Sequence, residues 1–177
     1  IDVNNFQGAY AITEFMITKG HSRITMLSMR EEQTSKFLHE RERGYRQALQ
    51  DHALQPQPIA YVQNNLEAAF EFAIKFLADN SATALFCASD VIALGVIRAC
   101  QQHGIRVPED LSVAGFDGFG YQEMTIPRIT TVAQPVYDIA KQLTSRLLGK
   151  ITQSDNDEVR TVIINPKLSL GGSIKAL

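Results

Sequence analysis

The sequence predicts an α/β fold, a doubly wound parallel sheet flanked by helices. Short runs rich in Val, Ile, Leu and Phe alternate with amphipathic stretches along the chain. Strands that apolar, each separated by a helix, fit a parallel sheet covered on both faces. The 177 residues, 45% hydrophobic and 20% charged, have the make-up of an ordinary globular domain able to bury one good core.

The elements follow in order. Ala9 to Thr18 has a helical pattern that stops at Lys19-Gly20, a normal C-terminal glycine signal. Arg23 to Ser28 reads as a buried strand. Ser35 to His52 is a helix with Phe37, Arg41, Gly44, Tyr45, Ala48 and Leu49 along one stripe. Pro58 to Val62 is a strand, Leu66 to Ala78 a strongly periodic helix and Thr83 to Cys87 a strand. Asp90 to His103 is a helix ended by Gly104, and Leu111 to Phe116 a strand. Ile129 to Ala133 is extended and Val136 to Lys150 helical. A polar turn at Ser154 to Asp157 leads into a final strand, Val159 to Ile164.

Charge bounds the partners. The net charge is -2 and the pI about 6.1, and Arg41, Arg43 and Arg46 are interleaved with Glu40 and Glu42. A surface that neutralises phosphates needs a Lys/Arg excess on one face, so this chain alone is expected to bind DNA poorly. Two cysteines, Cys87 and Cys100, are too few for a disulfide framework and read as buried free thiols in a reducing cytoplasm. No stretch approaches the roughly 18 uncharged apolar residues of a membrane span.

In a doubly wound sheet, ligands bind where loops leave the carboxyl ends of the strands. Polar groups gather at those places: Asn4 and Asn5, Ser28, Ser89 and Asp90, Asp117, and Gln134. Such acceptors and amides suit a polyhydroxylated or heterocyclic small molecule. Ser89 and Asp90 also suit the cap and first turn of a helix, a role compatible with ligand contact. Asp117 before Gly118 suits a turn as well. Arg41 interrupts the apolar stripe of its helix, and a guanidinium is costly to bury unless its donors are paired. Either it forms a structural salt bridge, or it snorkels to solvent, or it meets a ligand at the strand-end crevice.

Chemistry beyond binding has no sequence support. His21, His39, His52 and His103 lack metal-ligand spacing, and His21 at a helix-to-strand turn suits a local hydrogen bond. Nucleophile elbow, phosphate loop and dinucleotide fingerprint are all missing. We expect no catalytic residue, no metal and no cofactor.

Several segments, taken together, resemble the lactose-repressor (LacI/GalR) family of transcriptional regulators. Asn4-Asn5-x-x-Gly8 precedes a helix that ends in Gly20-His21-x-x-Ile24. Arg41-x-x-Gly44-Tyr45-x-x-Ala48-Leu49 follows, then Phe86-Cys87-Ala88-Ser89-Asp90. Gly104-x-Arg106-Val107-Pro108-Glu109-Asp110-Leu111-Ser112-Val113-x-Gly115-Phe116-Asp117 is the most specific match, and Thr130-Thr131-Val132-x-Gln134-Pro135 completes the set. Asn4 stands where the family usually has Asp, Gly118 where it often has a second Asp, and Gly171 where Arg is common.

The resemblance implies a two-lobed, periplasmic-binding-protein-like (type I) fold that holds a small effector, such as a sugar, between its lobes. It implies effector contacts at Arg41, Ser89, Asp90 and Asp117, with Gln134 and Ser28 as further candidates. It also implies a cytoplasmic homodimer that reaches operator DNA through a helix-turn-helix headpiece. Relative to the family pattern, residues 1–177 are expected to be a partial effector-binding domain. The second lobe would span about 20–135, with segments that belong or link to the first lobe, and without the headpiece. An exported sugar-binding protein of the same fold is the alternative.

Overall fold

The computed structural model describes residues 1–29, 35–79, 82–152 and 161–177. Its elements run β1 (Asp2–Val3), α1 (Asn5–Thr18), β2 (Ile24–Met29), α2 (Lys36–Asp51), β3 (Ala60–Val62), α3 (Leu66–Asp79) and β4 (Ala84–Cys87). Then come α4 (Asp90–Gln102), β5 (Ser112–Asp117), a short 3-10 turn (Tyr121–Glu123), β6 (Thr130–Ala133), α5 (Val136–Ile151), β7 (Ile163–Ile164) and β8 (Lys167–Ser169).

Six strands form one sheet in the order β3-β2-β4-β5-β6-β8, parallel except for the β8 edge, which pairs antiparallel with β6. From β2 the chain steps to β3 on one side, then returns past β2 to β4, β5 and β6 on the other. Crossovers run in opposite directions, and α2 packs with α1 while α3 packs with α4; the right-handed rule for such connections places the two pairs on opposite faces. The reversal of direction lies between β2 and β4, the place where such sheets open a crevice.

Strands β2 and β4 are buried along their whole length, as a sheet covered on both faces requires. Ile12, Leu27, Tyr45, Phe86, Ile92 and Phe116 are among the large side chains of the core. Each such apolar side chain contributes about 1.5–3 kcal/mol on burial. Tyr45 buries its ring and donates its hydroxyl to the Ile24 carbonyl at 2.8 Å. Gly44 lets α2 approach α1 closely, since a methyl group there would collide with the Phe6 carbonyl. Cys87 and Cys100 are buried free thiols, and burial pushes both thiol pKa values up.

Differences from the sequence reading are local. Helix α1 begins at Asn5 rather than Ala9, because the Asn4 side chain accepts from the Gln7 N–H and caps it. On α2 it is Leu38, not Phe37, that joins the buried stripe. The expected last strand is described only at its end, as β7, parallel to β1 in a separate two-stranded sheet. Strand β8 was not expected. The expected polar turn at Ser154 to Asp157 lies outside the described residues. His21 is buried, and its hydrogen bonds go to the Thr83 hydroxyl and the Lys175 carbonyl, both distant in sequence, rather than to the local turn expected. Among the described residues, no helix is long and apolar enough to cross a membrane.

Candidate functional site

A cavity of about 320 Å³ opens at the carboxyl ends of the strands. Asp2 from β1, Asn5 from α1, Met29 from β2, Phe37 and Arg41 from α2 and Asp117 at the end of β5 line it, with Asn64 and Gln134 from the loops after β3 and β6. The volume is within the usual range of small-molecule sites, roughly 300–1,000 Å³.

Arg41 is the hub. The residue is 3% exposed, and its three side-chain nitrogens donate to α1, to the connection after β4 and to the end of β5. Nε donates to Asn5 Oδ1 at 2.9 Å, Nη1 to the Ala88 carbonyl, and Nη2 to Asp117 Oδ1 at 3.1 Å. The guanidinium lies 3.7 Å from the centre of the Phe116 ring and 5.1 Å from that of Phe37. Aromatic faces and paired donors together offset the cost of burying the charge. The close crossing at Gly44 brings α1 near enough for Asn5 to take part.

Asp117 ends β5 with a positive φ of 117°, and Gly118 follows at 71°. A side-chain-bearing residue in that region is strained and persists only where its surroundings over-determine it. Here Asp117 Oδ1 accepts from Arg41 and, at 2.7 Å, from Gln134 Nε2, while the Asp117 carbonyl accepts the Gln134 N–H at 2.9 Å. Burial raises the Asp117 pKa, opposed by Arg41 and by the Gln134 hydrogen bond. No described residue bonds Asp117 Oδ2. The side chain is 19% exposed, and an acceptor therefore faces the cavity.

Residues 13–174 match the periplasmic binding protein-like domain family. The chain belongs to that family. It is 31% identical over 179 residues to the HTH-type transcriptional repressor PurR of Vibrio atlanticus, covering 98% of this chain and 52% of that protein. Against the HTH-type transcriptional repressor CytR of Escherichia coli K12 it is 33% identical over 181 residues, covering 100% and 52%. A solved sugar-binding transcriptional regulator of the LacI family from Escherichia coli, complexed with phosphate, superposes with a TM-score of 0.85 at 26% identity. That match covers 99% of this chain and 63% of the other. The resemblance to LacI/GalR regulators read from the motifs thus agrees with the relatives, and this chain spans about half the length of those curated relatives.

Of the six residues singled out in the sequence, Arg41, Asp117 and Gln134 come together on the cavity wall as one hydrogen-bonded cluster. Ser89 caps α4 by accepting the Ile92 N–H at 3.2 Å, and donates to Asn64 Oδ1 at 2.6 Å, so it reaches the wall through Asn64. Ser28 is buried and donates to Glu42 Oε1 at 2.9 Å, while its neighbour Met29 lines the cavity. Asp90 lies behind the wall, held by Gly118 and Thr131. Burial raises its pKa to about 6, although both hydrogen bonds pull it down.

The lining also holds Asp2, Met29, Phe37 and Asn64, none of them singled out beforehand, and Asn5, noted only as a strand-end amide. Asn64 was within reach of the same strand-end rule, applied after Pro58 to Val62. Phe37 stands one helical turn before Arg41. Asp2 gave no signal, because its place depends on the distant pairing of β1 with β7. Among the described residues, no three His, Cys, Asp or Glu side chains are placed to hold a metal ion.

Proposed function

We propose that this chain is the effector-binding core of a bacterial transcriptional repressor that senses a small metabolite such as a sugar. The observation that carries the reading is the cavity at the strand ends, where Arg41, Asp117 and Gln134 form a fixed polar cluster beside the apolar Phe37 and Met29. Asp117 accepts from a ligand hydroxyl or ring N–H. Arg41 and Gln134 hold that carboxylate and touch the ligand beside it, and Ser89 acts through Asn64. Ser28 and Asp90 support the wall from behind. The chain binds its ligand without transforming it. Relatives that are named repressors support a regulator over an exported binding protein.

The lining sets two carboxylates, Asp2 and Asp117, against one guanidinium already paired within the wall. An uncharged molecule rich in hydroxyl or N–H donors suits it better than a phosphate ester. In the whole protein the effector sits between two lobes and shifts their orientation. A homodimer then presents headpieces, outside this chain, to operator DNA in the cytoplasm. Residues at about 20–135 belong to the second lobe, while β1, α5 and β7 join the first.

A thermal-shift screen of the full-length protein against free sugars, nucleosides and their phosphates tests the proposal. A ligand at about 100 times its Kd adds about 2.7 kcal/mol to stability and raises the midpoint. We expect uncharged sugars or nucleosides to do so and their phosphates to fall short. If no member of the panel shifts the midpoint and the protein ignores DNA in a mobility-shift assay, the reading fails.

A further inference from the structure

Asp90, the first residue of α4, is 1% exposed and stands behind the cavity wall. Its Oδ2 accepts the Gly118 N–H at 2.7 Å and its Oδ1 accepts the Thr131 hydroxyl at 2.5 Å. Strand β5 passes directly beneath at Gly115, where a methyl group would collide with the carboxylate. Gly118 itself has no room for a side chain, since a Cβ would come within 2.6 Å of the Ala133 backbone. Asp90 therefore sits in a slot that Gly115 leaves open, and it bonds the backbone next to Asp117.

We infer that Asp90 is a positioning residue of the ligand site, whose carboxyl oxygen holds the Gly118 N–H and so fixes the turn that aims Asp117 at the cavity. The inference rests on the proposed reading of the cavity as an effector site. Arg41 and Gln134 secure the Asp117 side chain from one side, and the Gln134 N–H secures its carbonyl. Asp90 secures the following peptide from the other. A residue at a φ of 117° needs that enclosure, or the backbone relaxes and Oδ2 turns away.

The role requires an acceptor toward Gly118, not a charge. Asn at this position places its oxygen on the Gly118 N–H and its amide on the Thr131 oxygen, because a hydroxyl serves as donor or acceptor. Ala removes the acceptor, and the hydroxyl of Ser is too short to reach. The three substitutions thus separate positioning from simple filling of space.

Hydrogen–deuterium exchange of the full-length protein, read on the peptide covering 115–121, tests the inference. We expect D90A to speed exchange there on the order of tenfold, the factor that one lost hydrogen bond allows, while peptides of α1 and α3 stay unchanged. D90S should behave like D90A and takes its place if D90A does not fold. D90N should restore slow exchange. Calorimetric titration with D-ribose and with a pyrimidine nucleoside, for whichever of them binds, should show weaker binding in D90A and near-native binding in D90N. Unchanged exchange in D90A and D90S, or D90N as fast as D90A, overturns the inference. Should the peptide respond as expected while neither probe binds the native protein, the turn is fixed by Asp90 and the ligand reading, tested apart, is what fails.

Discussion

Removing the Arg41 side chain takes the donor from Asn5 Oδ1, the Ala88 carbonyl and Asp117 Oδ1 at once. Breaking a buried pair from one side costs about 3–5 kcal/mol, because the remaining charge stays behind unpaired. Asp117 retains some contact with solvent, which places Arg41→Ala near the lower end, about 3 kcal/mol. Gln134→Ala removes a single hydrogen bond at the wall and should cost only about 1 kcal/mol. Both should weaken effector binding. Urea denaturation beside ligand titration separates the two contributions, and an Arg41→Ala protein as stable as the native one would show that the guanidinium contributes to binding alone. The sequence left salt bridge and ligand contact as alternatives for Arg41. The structure shows the bridge, and shows that its partner faces the cavity, so the two roles are compatible. Asp90 was less legible. A carboxylate in the first turn of a helix can point forward to a crevice or back to the sheet, and that direction is set by Gly115, whose importance appears only once β5 lies beneath α4.

The site at the scale of its elements depends on how closely α1 and α2 cross. Gly44 faces the Phe6 carbonyl, and the Asn5–Arg41 hydrogen bond lies just beyond that contact. Gly44→Ala forces the helices apart. Overpacking of this kind costs about 1–3 kcal/mol, and here a methyl group meets the Phe6 carbonyl, so a rotamer change cannot relieve it. The expected result is a lower urea midpoint together with weaker effector binding, although Gly44 is not part of the cavity lining. Normal affinity in a destabilised Gly44→Ala protein would mean that the wall does not depend on the helix crossing. Periodicity made α2, α3 and α4 readable to within a residue or so. The start of α1 was hidden because Asn4 and Asn5 look like loop residues until one is seen to cap the helix and the other to bind Arg41. Strand β8 was hidden for a different reason: three residues at an antiparallel edge carry too little pattern to announce themselves.

For the whole molecule, the alternation of strand and helix was enough to give the parallel sheet and hence the location of the crevice, since that location follows from strand order. It could not give the place of α5. This helix has no buried residue, and Tyr137, Leu143, Leu147, Leu148 and Ile151 are all exposed. An amphipathic helix gains its stability from packing its apolar face, and a contiguous exposed apolar surface marks a missing contact. The proposed two-lobed protein supplies one, because α5 follows the β6 end of the crevice and the β1–β7 sheet lies outside the main sheet. Hydrogen–deuterium exchange of residues 136–151 should therefore be fast in the 177-residue chain expressed alone and slow in the full-length protein. Leu147→Lys should improve the solubility of the isolated chain and destabilise the full-length one, since a charge is tolerated on a wet face and costly in a packed one. Equal exchange in both forms would remove the assignment of α5 to the first lobe, while leaving the cavity and its Arg41–Asp117 pair, which the main sheet and α2 hold without α5.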